Sequence, residues 1–167
     1  GLTTGRGLPG WQVEAGAGNR DLKLVDVAIA SLTEMYAVDE DRIYATGFSN
    51  GGMFTYLLWA ERPEVFAAYA PVAARLRASV VPEQPRPVLH VAGEGDLVVD
   101  YAAQVAAIEI AVEVNGVGAQ ASSCGTGCTL YGGHTSTPVM SWIHSGAHVW
   151  PEETSARIVS FLRGDPR

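Results

Sequence analysis

The stretch "RIYATGFSNGGMFTYLL", residues 42–58, decides how this chain is read. Its centre, Gly47-Phe48-Ser49-Asn50-Gly51, is a G-x-S-x-G pentapeptide. Before it, Arg42 to Thr46 is short, rich in β-formers and closed by Gly47, which predicts a strand. After it, the run from Asn50 is apolar almost all round as far as Glu61, with Pro63 as a stop, which predicts a buried helix. On such a strand-to-helix turn a serine is held in a strained conformation, and glycines two before and two after it let strand and helix approach. Ser49 is therefore the candidate nucleophile and the Asn50 N–H, first in the helix, the candidate oxyanion donor. The plainer reading, a glycine-rich turn with no chemistry, leaves the flanking strand and helix unexplained.

Outward from this centre the elements alternate. Residues 1–18, with their glycines and one proline, read as an irregular leading segment. Asn19 is a candidate N-cap for a helix in which Leu22, Val25, Ile29, Leu32 and Tyr36 recur at steps of three and four. Beyond the central helix, "VFAAYAPVAA" (65–74) and "PVLHVAG" (87–93) are short apolar runs bounded by Pro or Gly, as in buried strands of a parallel sheet. Tyr101, Val105, Ile108 and Val112 predict a helix ending at Asn115-Gly116, "PVMSWIH" (138–144) a last strand, and Pro151 to Gly164 a final helix. The order predicts an α/β architecture with a mostly parallel sheet of about four to five strands and flanking helices. At 167 residues the chain is expected to be a single domain, 1–167.

A serine hydroxyl becomes a useful nucleophile only with a base to take its proton and a third group to orient that base. Downstream, "VLHVAGEGDLVVDY" (88–101) sets Asp96 just past a predicted strand end, where open parallel sheets place functional side chains. Asp100 competes but stands where the next helix begins and is better explained as its N-cap. Of four histidines, His90 lies inside a predicted strand and reads as a satisfied core histidine, and His134 sits in a loop without distinguishing context. His148, on the loop after the last predicted strand, is the candidate base, with His144 second. Phe48, Trp11, Trp142 and Trp150 are candidates for lining an apolar pocket, against the alternative of ordinary core packing.

Other function classes are disfavoured. A net charge of -7, with eleven basic residues scattered along the chain, provides no footprint for nucleic acid. No uncharged apolar run approaches the roughly 18 residues of a membrane helix, so no membrane span is expected. Cys124 and Cys128 alone do not make a zinc site; no metal and no cofactor are expected. The Gly-Thr-Gly between them leaves a short-loop disulfide and two free thiols both open, a bridge pointing to an oxidising compartment. The opening "GLTTGRGLPGW" lacks a charged and then apolar leader, so an export signal is expected to be absent or already removed.

Together, "RIYATGFSNGG" (42–52), "VLHVAGEGDLVVDY" and "GAHVWPEE" (146–153) resemble the poly(3-hydroxybutyrate) depolymerase and feruloyl esterase family of α/β-hydrolases. That family shows a G-x-S-x-G-G elbow, a G-x-x-D segment followed by two valines, and a G-x-H-x-W-P segment near the C-terminus. The resemblance implies Ser49 as nucleophile, Asp96 as acid and His148 as base, a carboxylic ester substrate of short acyl, feruloyl or polyester type, and secretion. It also implies several strands before the elbow, and a loop donating a second oxyanion N–H, that nothing before Asn19 supplies, so a truncated α/β-hydrolase fold is expected. The segment "GLPGW" (7–11) or a neighbouring subunit is the candidate source of the second donor. The edge left at Arg42–Thr46 is expected to be covered by a second copy of the chain, giving a homo-oligomer. A non-catalytic relic serving as a binding or assembly domain is the alternative, and an acyl transferase or thioesterase on the same residues a third reading.

Overall fold

A computed structural model describes residues 2–3, 9–118 and 120–164. Near the N-terminus β1 (Leu2–Thr3) pairs antiparallel with β2 (Pro9–Gly10). Residues 11–15 have no regular structure but are fastened to the helix that follows. The Asn19 side chain donates to the Gln12 and Glu14 carbonyls and accepts from the Asp21 and Leu22 N–H groups, so one residue caps α1 (Arg20–Met35) and anchors the segment before it. Only Asp21 and Leu22 of α1 are buried. The face predicted from Leu32 and Tyr36 is half open to solvent, and Leu24, Val27 and Met35 are exposed as well.

The strand before Ser49, β3, runs Tyr44–Phe48, two residues later than its sequence pattern suggests. Glu40–Arg42 instead form a short 3₁₀ turn because the Asp39 carboxylate caps the Asp41 N–H. Then come α2 (Asn50–Glu61), β4 (Ala68–Val72) and β5 (Val88–Gly93), the last two buried throughout as predicted for inner parallel strands. α3 (Tyr101–Val114) is capped by the Asp100 carboxylate, which accepts from Ala102 N–H, so the capping role expected for Asp100 is the one seen.

A hairpin, β6 (Ala121–Gly125) and β7 (Cys128–Tyr131), follows, then β8 (Val139–His144) and α4 (Thr154–Leu162). The hairpin is absent from the sequence reading, and its residues 121–125 are mostly exposed, so no apolar run announces them. Cys124 and Cys128 are joined in a disulfide across it, which settles the alternative left open by the spacing. α4 begins at Thr154, later than Pro151.

The main sheet has six strands in the order β3-β4-β5-β8-β7-β6, more than the four to five expected. β3, β4, β5 and β8 are parallel, and the hairpin adds two antiparallel strands. One core cluster joins α1, α2 and α3 residues to Ala45, Tyr69, Val88 and Val139; a second joins Ile158 and Phe161 of α4 to Val72, Leu89, Val91 and Met140. Successive strand side chains point to opposite faces, so α1–α3 cover one face and α4 the other. Arg62, after α2, grips Asp26 of α1 with two hydrogen bonds of 2.8 Å. β3 is an edge strand, as the sequence reading anticipated.

Candidate active site

At the end of β3 the chain turns sharply into α2, and Ser49 takes φ 56°, ψ -116°, a conformation disfavoured for a residue with a side chain. Its N–H donates to the Val72 carbonyl of the neighbouring strand at 2.9 Å, which helps to hold the strained residue. The closeness of strand and helix explains the glycines, with one revision. A Cβ on Gly47 would lie 2.4 Å from the Gly51 backbone, and one on Gly52 would lie 2.6 Å from Ala74 Cβ and 2.9 Å from two carbonyl oxygens. A Cβ on Gly51 would meet only Trp11 Nε1, at 3.9 Å. The elbow therefore excludes side chains at Gly47 and Gly52, whereas Gly51, the motif's second glycine, has room for one.

Asp96 lies just beyond β5, where strand-end reasoning set it, with its side chain wholly buried. Oδ1 accepts from the Val98 and Val99 N–H groups at 2.9 Å each, and Oδ2 from Gln104 Nε2 at 3.0 Å. The same Oδ2 lies 2.8 Å from His148 Nδ1, and His148 Nε2 lies 2.8 Å from Ser49 Oγ. With Nδ1 protonated, His148 donates to the carboxylate and accepts the serine O–H. Burial opposes the charge of Asp96, but the hydrogen bonds from His148 and from Val99 and Val98 N–H outweigh it, so its pKa falls below the ordinary aspartate value. An acceptor of this kind remains a carboxylate at neutral pH.

The His148 loop is seated by glycine. A Cβ on Gly93, at the end of β5, would come within 2.7 Å of the Gly146 carbonyl and 2.8 Å of the Ala147 carbonyl. Gly95 N–H also donates to the Gly146 carbonyl at 3.1 Å. The other histidines are occupied or remote. His144 Nδ1 accepts from Gly146 N–H at 3.1 Å, His134 is exposed, and His90 is fully buried with Nδ1 2.6 Å from the Tyr56 hydroxyl.

Phe48 packs against the His148 ring (centroids 4.7 Å) and Trp150 meets Phe48 edge-on at 6.4 Å, so Phe48 stands beside the imidazole and Trp150 beside Phe48. Trp11 stacks on Phe54 at 4.7 Å and stays 43% exposed. Trp142 is core, with the Arg157 guanidinium 4.2 Å over its ring. Asn50, at the start of α2, has an N–H without an intrahelical acceptor. Its side chain grips the Trp11 backbone, Oδ1 accepting from Trp11 N–H at 2.6 Å and Nδ2 donating to the Trp11 carbonyl at 3.2 Å. Within "GLPGW", therefore, the Trp11 N–H is spent and Pro9 has none; Gly7 and Leu8 lie outside the described residues.

Beside Ser49 opens a groove of about 980 Å³. The edge of β3 forms its floor, and apolar side chains of α1 and α2, among them Val25, Ile29, Phe54 and Leu58, form its walls. No cluster of three or more His, Cys, Asp or Glu able to hold a metal ion occurs among the described residues. No helix among them is long and apolar enough to cross a membrane.

Comparison with known proteins finds similar folds and partly similar sequences. An acetyl xylan esterase from Aspergillus awamori superposes over 91% of this chain and 72% of its own with a TM-score of 0.69 at 14% sequence identity, a likeness of fold. In sequence, 98 residues are 33% identical to the bifunctional acetylxylan esterase/xylanase XynS20E of Neocallimastix patriciarum, covering 58% of this chain and 14% of that one. A further 36% identity over 87 residues relates it to feruloyl esterase B of Piromyces equi, covering 48% of this chain and 16% of that protein. The fold is that of the α/β-hydrolase esterases, and about half of the chain is similar in sequence to acetylxylan and feruloyl esterases. Residues 17–79, which include the Ser49 elbow, also match the model of the prolyl oligopeptidase family. The chain spans less than a fifth of the length of either curated relative.

The sequence reading missed Gln104, a buried donor to Asp96. Gln104 stands eight residues after Asp96, a spacing that carried no recognisable motif.

Proposed function

We propose that this chain is a serine carboxylic-ester hydrolase working through an acyl-enzyme. The carrying observation is the unbroken row Ser49 Oγ, His148, Asp96, with both links at 2.8 Å. In this reading His148 Nε2 takes the proton as Ser49 Oγ attacks the ester carbonyl, and Asp96 keeps the other ring nitrogen protonated. The Asn50 N–H donates to the developing oxyanion. Collapse expels the alcohol with the proton from His148, and water, deprotonated by the same imidazole, hydrolyses the acyl-serine.

The substrate is a short acyl or feruloyl ester, or a polyester. The names of the two curated relatives favour acetyl and feruloyl esters, and the aromatic rings of Phe48, Trp150 and Trp11 around Ser49 suit a flat acyl group. A pre-steady-state burst of p-nitrophenol from p-nitrophenyl acetate, equal to the protein present and lost in Ser49→Ala, is expected. Steady release without a burst, unchanged in the variant, would sink the acyl-enzyme.

Residues 1–167 act as one domain, and the Cys124–Cys128 bridge fits secretion into an oxidising compartment. The unpaired edge of β3, with the groove and the exposed Leu24, Val27 and Met35 of α1 beside it, supports coverage by a second copy of the chain, which would also bring a further N–H donor towards Ser49. A scattering mass equal to one chain at micromolar concentration would refute that pairing. The same open flank favours the second reading, a relic hydrolase that binds without turnover.

A further inference from the structure

A buried polar side chain stands behind Asp96. Gln104 of α3 is wholly buried, and its Nε2 donates both to Asp96 Oδ2, at 3.0 Å, and to the Val99 carbonyl, at 2.8 Å. Both amide hydrogens are thereby used, one of them on the oxygen that faces His148. Turned over by 180°, the amide would set Oε1 against a carboxylate and a carbonyl, three acceptors with no proton among them.

On its other side Gln104 Oε1 has no hydrogen-bond partner among the described residues, and neither has the buried Nε2 of His90. His90 Nδ1 lies 2.6 Å from the Tyr56 hydroxyl, and burial lowers the His90 pKa to about 4, so the imidazole is neutral. Gln104, Asp96, His148 and Ser49 thus form one hydrogen-bonded row. Polar groups at such depth are costly unless matched, and here the matching ends on a carboxylate.

We infer that Gln104 is a positioning residue for Asp96, holding the carboxylate oxygen that faces His148. The inference rests on the proposed roles of Ser49, His148 and Asp96.

The test uses Gln104→Met, which keeps the volume and deletes both donors. Active sites are counted by fluorophosphonate titration, so that a folding defect lowers the count and a positioning defect lowers the rate per site. Loss of a hydrogen bond to a charged group should lower kcat per titrated site by roughly 10- to 100-fold in Gln104→Met, with KM held within about two-fold. The His148 Nδ1–H proton resonance should also move in Gln104→Met. An unchanged rate per site in Gln104→Met would overturn the inference. If native Ser49 takes no label, the catalytic reading fails, and the Nδ1–H resonance still judges Gln104: a resonance that stays in place overturns its role.

Discussion

The two flanks of Ser49 are built to different standards. On the β5–β8 side, Asp96 has every oxygen engaged and the His148 loop lies against a strand end where Gly93 leaves no room for a side chain. On the β3 side, an edge strand faces a groove of about 980 Å³, α1 shows much of its apolar surface to water, and among the described residues the Asn50 N–H is the candidate oxyanion donor. On the proposed reading the first flank handles the proton and the second receives substrate, a second donor or another copy of the chain. The row from Ser49 through His148 to Asp96 closes within about one hundred residues.

The largest effect expected is on the complete flank. His148→Ala should lower kcat for an activated ester by about 10⁴-fold or more, since serine and base act as a unit. A fall of less than about ten-fold would mean that the ordered flank is not the one doing chemistry.

Next, Gly93→Ala and Gly51→Ala probe the tightness of each side. The first drives a Cβ to 2.7 Å from a carbonyl of the His148 loop and should cost about 1–3 kcal/mol of stability along with activity. The second, at the start of α2 beside Trp11, meets nothing closer than 3.9 Å and should be neutral or stabilise by up to about 1 kcal/mol through helix propensity. Thermal melts of both variants suffice; equal losses would erase the contrast.

This pair also marks what the sequence could and could not disclose. The G-x-S-x-G pattern located the elbow, because strand, glycine and apolar helix are local signals, and Asp96 and His148 followed from chain order and strand ends. The pattern misassigned the second steric glycine to Gly51, since two of the three contacts that forbid a side chain at Gly52 come from Ala74 and Val72, twenty or more residues away. Gln104 was invisible for the same reason: its contact joins α3 to the Asp96 loop after β5. The β6–β7 hairpin escaped because exposed strands carry no hydrophobic run, although the two cysteines marked its turn.

A smaller effect concerns pH. The unfolded chain protonates His90 near the ordinary histidine value of about 6.5, whereas the folded chain does so only near 4. Between these values the unfolded state binds more protons, so stability falls as pH is lowered through this window, by up to about 3 kcal/mol. His90→Gln should flatten the decline in thermal midpoint between pH 6.5 and 4. An identical slope would remove His90 from the account.

The most direct measurement is intact-mass labelling of the native protein with a fluorophosphonate, followed by peptide mapping and repeated on Ser49→Ala. A single adduct on Ser49, absent from the variant, is the predicted result, because the Asp96–His148 flank alone should activate the hydroxyl. A folded native protein that takes no label would contradict the central claim and leave the site an ordered row of side chains without a reaction.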